Sequence, residues 1–90
     1  MGGNILGDEL QEVGRVSHFF GKVSVAIIEV TDTISVGDQI LIKGPTTDIE
    51  QTVDSMEIDH VKVKQAESCQ SIGMKVKGRV REKDTVYKID

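Results

Sequence analysis

The stretch Ile34-Ser35-Val36-Gly37-Asp38-Gln39-Ile40-Leu41-Ile42-Lys43-Gly44 decides the fold. A Gly-Asp pair flanked by apolar residues at period two, Ile34 and Val36 before it and Ile40 and Ile42 after it, specifies a sharp reversal into a half-buried strand. Gly37 supplies the positive φ that such a turn asks for. Gly44-Pro45 ends the strand, because proline brings no N–H to a further ladder bond.

The same alternation extends to both sides. Val13 to Phe20 reads as a first strand, Gly21-Lys22 as a tight reversal and Val23 to Val30 as a second strand, together a hairpin. In the second strand Val23, Val25 and Ile27 share one face, yet Ala26 and Ile28 on the other face are apolar as well. A strand with two apolar faces is covered on both sides, so this one is expected to be central. Thr31-Asp32-Thr33 marks a loop, Gln39 to Lys43 the third strand, and Ile49 to Ile58 a fourth with weaker alternation. Gln65 to Gln70 fits a short helical turn, and Ile72 to Val76 and Thr85 to Ile89 supply the last two strands. Closing such a set removes the edges that would template aggregation, so the expectation is all-β: a small six-stranded closed Greek-key β-barrel. Residues 1–12, with three glycines beside Asp8, Glu9 and Glu12, read as a flexible N-terminal lead-in, and residues 13–90 as a single domain.

Ninety residues make one domain, which at this size buries only about 60% of the surface of its unfolded chain, so a deep catalytic cleft is not expected. Two Phe, one Tyr and no Trp leave the core to Val, Ile, Leu and Met. The lone Cys69 has no disulfide partner and points to a reducing, cytoplasmic compartment. There is no signal-peptide pattern and no apolar run long enough to span a bilayer, hence no expected membrane partner. Met1-Gly2 opens like an acylation signal, but Leu6 stands where that motif needs Ser or Thr. The net charge of −4 is unevenly spread: residues 1–61 hold 3 basic and 11 acidic side chains, whereas residues 62–90 hold 8 basic and 4 acidic. An acidic total disfavours nonspecific nucleic-acid binding, although a local basic patch remains available.

Gly14-Arg15-Val16, Val36-Gly37-Asp38-Gln39-Ile40, Ser55-Met56-Glu57-Ile58 and Ile72-Gly73-Met74-Lys75-Val76, in this order, resemble the successive strand signatures of domain 2 of translational GTPases of the elongation factor Tu type. The likeness spans residues 13–89 and implies a free-standing domain 2; similar barrels are also appended to some collagenase-like peptidases. Two departures stand out. Cys69-Gln70 replaces the family's Gly-Asp before the final strand. Nothing fits Gly-x-x-x-x-Gly-Lys-Ser/Thr, so neither nucleotide binding nor GTP hydrolysis by this chain is expected.

In that family domain 2 offers a shallow pocket to the 3′ end of aminoacyl-tRNA. By the resemblance Glu57 takes the place of a pocket glutamate, His60 that of an arginine three residues later, and Lys22 lies near a third, basic position. A carboxylate there accepts a hydrogen bond from a ribose hydroxyl. The plainer reading of these residues is a solvated strand end. Lys75, Lys77, Arg79, Arg81 and Lys83 occupy every second position and would face one way in a continuous strand, as a phosphate-tracking stripe or as a solubilising outer face, with Gly78 a site for a bend.

No catalytic constellation is visible. His18, His60 and Cys69 are the only soft metal ligands and none has a short-spaced partner, so no metal and no cofactor are expected. Cys69 without a base reads as a small buried hydrophobe, and Glu57 with Asp59 as an acidic strand edge. Two functions follow. The first is a non-enzymatic module binding RNA, either a tRNA end or ribosomal RNA, in protein biosynthesis. The second is a protein-interaction module acting in trans on a separate enzyme such as a collagenase-like peptidase.

Overall fold

The computed structural model describes residues 10–89; the first nine residues of the expected lead-in and Asp90 lie outside the described residues. Ten strands follow one another: β1 (Leu10–Phe20), β2 (Val25–Val30), β3 (Ile34–Ser35), β4 (Gln39–Lys43), β5 (Asp48–Thr52), β6 (Met56–Ile58), β7 (Val61–Val63), β8 (Gln65–Ala66), β9 (Ser71–Lys75) and β10 (Thr85–Ile89). Eight of them form one sheet in the order β5-β4-β10-β1-β2-β9-β6-β7, and β3 pairs with β8 in a separate ribbon. Every ladder is antiparallel. The all-β expectation therefore holds, with β2 central between β1 and β9.

The long β1 serves two neighbours. It pairs with β10 and with β2, and its register slips by a bulge on each side, between Glu12 and Gly14 and between Val16 and His18. Such bulges bend a strand and increase its twist. Gly14 lets β2 approach closely, since a methyl group there would come within 2.7 Å of Ile28 Cγ2.

One apolar cluster fills the interior. Val13 and Val16 of β1, Ile28 of β2, Ile40 and Ile42 of β4, Ile72 and Met74 of β9 and Val86 of β10 are all essentially inaccessible. Val53, just beyond β5, and Met56 of β6 belong to the same cluster although they come from opposite ends of the strand order. The sheet is thus rolled so that its inner face packs upon itself, each of these side chains contributing about 1.5–3 kcal/mol of apolar burial.

Three expectations are corrected. The strand count is eight plus two rather than six, and the ladders do not close into a barrel: β5 and β7 each pair on one side only. The edges are handled without closure. Gln51 of β5 bonds through its side chain to the main chain at Lys75 and Lys77, and β7 carries Lys62 beside Lys64, charges that discourage edge pairing. The expected strand over residues 49–58 is broken, because β5 pairs with β4 whereas β6 turns to β9 and β7. Gln65 to Gln70 contains β8 and a turn in place of a helical turn. Among the described residues no helix is long and apolar enough to cross a membrane.

Candidate functional site: a groove on the outer face

The inner face of β2 is buried in the core, but its outer face is apolar too, and that second row lines a groove. Val25 and Ile27 of β2, Gly73 of β9 and Glu57 of β6 form neighbouring positions across three strands: Ile27 is paired with Gly73, and Gly73 with Glu57. Around them lies a groove of about 440 Å³, bounded further by Phe20, Val23 and the Asp59-His60 turn. That volume lies within the range of small-ligand sites, roughly 300–1,000 Å³. Phe20 and Val23 are 48% and 57% exposed, large apolar side chains left uncovered at the rim.

The Asp59-His60 turn follows from local geometry. It joins β6 to β7 in two residues, with φ of 52° at Asp59 and 66° at His60, the left-handed pair that a tight hairpin of right-handed twist requires. Asp59 therefore leaves the strand, and the expectation that Glu57 with Asp59 forms an acidic strand edge is corrected. The turn instead brings Asp59 and His60 to one end of the groove.

Of the residues expected at a site, Glu57 and His60 are brought together in this groove. Lys22 lies in the exposed β1–β2 turn, beside the rim residue Val23 but outside the groove lining. Lys75 ends β9. Lys77, Arg79, Arg81 and Lys83 follow in a segment with no strand, all exposed, while Val76 and Val80 between them are buried. The five basic residues do not stand on one strand, because the chain leaves the sheet after Lys75, and Lys83 adopts a φ of 76°. Among the described residues no group of three or more His, Cys, Asp or Glu is placed to hold a metal ion. His18 instead lies 3.3 Å from Glu82 at the surface. Cys69 is exposed, not buried as its isolation in the sequence suggests.

Phe20, Val25, Ile27, Asp59, Ser71 and Gly73 are lining residues that the sequence reading did not assign to a site. The double apolarity of β2 was the available signal, since an apolar outer row with no strand or helix above it is what a groove floor looks like in sequence.

No model of a known protein family matches the chain. Over 77 residues, 84% of this chain, it is 47% identical to an uncharacterized protease of Methanocaldococcus jannaschii. This relative is a protease by name. Over 80 residues it is also 35% identical to a collagenase of Porphyromonas gingivalis. The chain spans about a fifth of the length of these relatives, 19% of the first and 22% of the second. Among solved structures, the C-terminal domain of a proposed U32 peptidase of Geobacillus thermoleovorans superimposes with a TM-score of 0.84 at 17% identity, covering 89% of this chain and 93% of that domain. GDP-bound aIF5B of Aeropyrum pernix shares the fold more loosely, with a TM-score of 0.61 at 15% identity over 97% of this chain and 16% of that protein.

These findings correct the assignment to the elongation factor Tu domain 2 family. With it go the expectations of a translation elongation role, of protein biosynthesis, and of tRNA or ribosomal RNA as the partner. The reason is physical. A hydrophobic-Gly-Asp turn and an Ile-Gly strand mark how a small rolled sheet turns its corners; they carry no information about a ligand.

Proposed function

We propose that this chain is a non-catalytic binding module that serves a collagenase-like peptidase of the U32 kind through protein contact. The observation that carries the reading is the coverage: nearly the whole described domain is alike to one fifth of each protease relative, so what the chain shares with them is one segment among several. The likeness to a domain that is the C-terminal part of a proposed U32 peptidase supports the same reading at the level of fold. The surface is consistent with it: an apolar groove rimmed by exposed Phe20 and Val23, with carboxylates and an imidazole at one end, suits holding a polypeptide.

The test uses the Methanocaldococcus jannaschii protease from which the matching 77-residue stretch has been removed. Mixed with this chain, the truncated protease is expected to co-elute with it in size-exclusion chromatography, to keep the complex at about 1 M salt, where surface charge is screened, and to regain peptide cleavage. The chain alone is expected to cleave nothing. Separate elution with a folded truncated protease overturns the partner reading, and cleavage by the chain alone overturns the non-catalytic one.

A further inference from the structure

Gly73 lies in the middle of β9 without a positive φ. A methyl group on it would sit 3.6 Å from Val25 Cγ1 and 3.8 Å from Ile27 Cδ1, ordinary contact distances. Neither backbone conformation nor crowding calls for glycine here, and glycine weakens a strand interior. Its missing side chain leaves a trough. The groove of about 440 Å³ and a second opening of about 150 Å³, which reaches Ser55 and Lys75, share Val25, Glu57 and Gly73, so the trough runs along the outer face of β9. The antiparallel register puts the Asp59-His60 turn toward Ser71 and places Lys75 at the opposite end. Ser71 to Lys75 spans about 13 Å at strand rise, room for roughly four residues of extended chain.

The chemistry selects the occupant. One wall is aliphatic, Val25 and Ile27; across from it stands the Glu57 carboxylate, with Asp59 beyond, and neither carboxylate is in an ion pair among the described residues. A cationic head on an apolar stem complements that pairing, the stem lying along the aliphatic wall and the head reaching a carboxylate. At the Glu57-Asp59 end an anion is repelled by the same carboxylates, while Lys75 stands at the far end of the trough. Strand addition is ruled out at this place, because β2, β9 and β6 are each bonded to neighbours on both sides. We propose that the trough over Gly73 binds a lysine or arginine beside an aliphatic side chain, presented by an extended segment of the peptidase partner. This rests on the partner-binding reading above and names the chemistry of the contact.

The experiment titrates the ¹⁵N-labelled chain with two capped probe hexapeptides, one centred on Val-Arg-Val and one on Val-Glu-Val. The arginine probe is expected to shift the amide signals of Ile27, Glu57 and Gly73 saturably, and the glutamate probe to leave them in place. Gly73→Val fills the trough and is expected to weaken the arginine probe about tenfold or more, and Glu57→Gln about three- to tenfold, with both variants keeping dispersed, native-like spectra. Shifts confined to other residues, no shift at about 1 mM probe, or equal binding by Gly73→Val overturn the proposal. The two readings fail separately. Probe binding at the trough without co-elution of the truncated protease removes the partner reading alone, whereas a protease complex indifferent to Gly73→Val removes the trough alone.

Discussion

The side-chain amide of Gln51 is bonded to the main chain at Lys77, Oε1 accepting the Lys77 N–H at 3.0 Å, while its Nε2 donates to the Lys75 carbonyl at the same distance. In a closed barrel a backbone ladder would stand at this place; here one side chain does the joining, and Gln51 is itself buried. Gln51→Ala is expected to remove both bonds and to destabilise the domain by about 1–2 kcal/mol, since it leaves the part-buried Lys77 N–H and Lys75 carbonyl without their partner. Gln51→Glu keeps an acceptor for Lys77 but turns a second acceptor on the Lys75 carbonyl, and is expected to be no better than alanine. Urea titration checks this: the midpoint should fall with an unchanged slope, and an unmoved midpoint would mean the two bonds add nothing net.

The Gly37-Asp38 turn is held from both sides. Gly37 has a φ of 99°, and the Asp38 carboxylate accepts the Ser35 N–H at 2.8 Å while lying 3.7 Å from Lys88 Nζ. Gly37→Ala is expected to cost about 1–2 kcal/mol through backbone strain. Asp38→Ala is expected to cost about 1 kcal/mol through the lost hydrogen bond, the half-exposed lysine adding little. For a domain of this size each kcal/mol lowers the thermal midpoint by about 4–8 °C, which scanning calorimetry resolves.

The turn and β4 were legible because the decisive information is local: a glycine able to take positive φ, and apolar residues at period two. The rolled, all-β character follows from the same pattern repeated along the chain. What escaped is the choice of partner strand. Nothing in the alternation of Ile49 to Ile58 reports that Val53 still bonds to Gly37 and Asp38 beside β4 while Met56 has already moved to β9. Strands of two or three residues such as β3, β7 and β8 carry too few positions for a period to register. At the groove, Glu57 and His60 are pointed to only by a family likeness that the comparisons overturn, whereas Val25 and Ile27 are visible in the sequence as a second apolar face, a pattern that by itself reports only a central strand.

Cys69 occupies a glycine's conformation. It follows Ser68 in the turn before β9 with a φ of 74°, its N–H bonded to the Val30 carbonyl at 2.8 Å, and the neighbouring Gln70 side chain accepts the Glu67 N–H at 2.8 Å. The turn forms without glycine because these bonds over-determine it, at a cost in backbone strain. Cys69→Gly relieves that strain and is expected to stabilise the domain by about 0.5–1 kcal/mol, the added freedom of the unfolded chain offsetting part of the gain. The side chain is exposed, so no packing is lost. Cys69→Ala keeps the strain and should leave the urea midpoint nearly where it is, which separates the backbone effect from the loss of the thiol.

Gly73 presents the opposite case, a glycine where a larger residue fits. A Cβ on the outer face of β9 would lie at ordinary contact distance from Val25 and Ile27, so a β-branched side chain is expected to pack on them and to restrict the unfolded chain. Gly73→Val is therefore expected to raise stability by about 0.5–1 kcal/mol, read as a higher urea midpoint in the absence of any ligand. Gly14→Val is the contrast: a methyl group there already meets Ile28 Cγ2 at 2.7 Å, so that substitution is expected to destabilise by about 1–3 kcal/mol through overpacking. A stabilising change at Gly73 means that this position gives up folding energy to keep the trough open, as a binding surface does when shape is held for a partner. A destabilising one would mean that valine does not fit above β2 and β6, and the open trough would then be a consequence of packing alone.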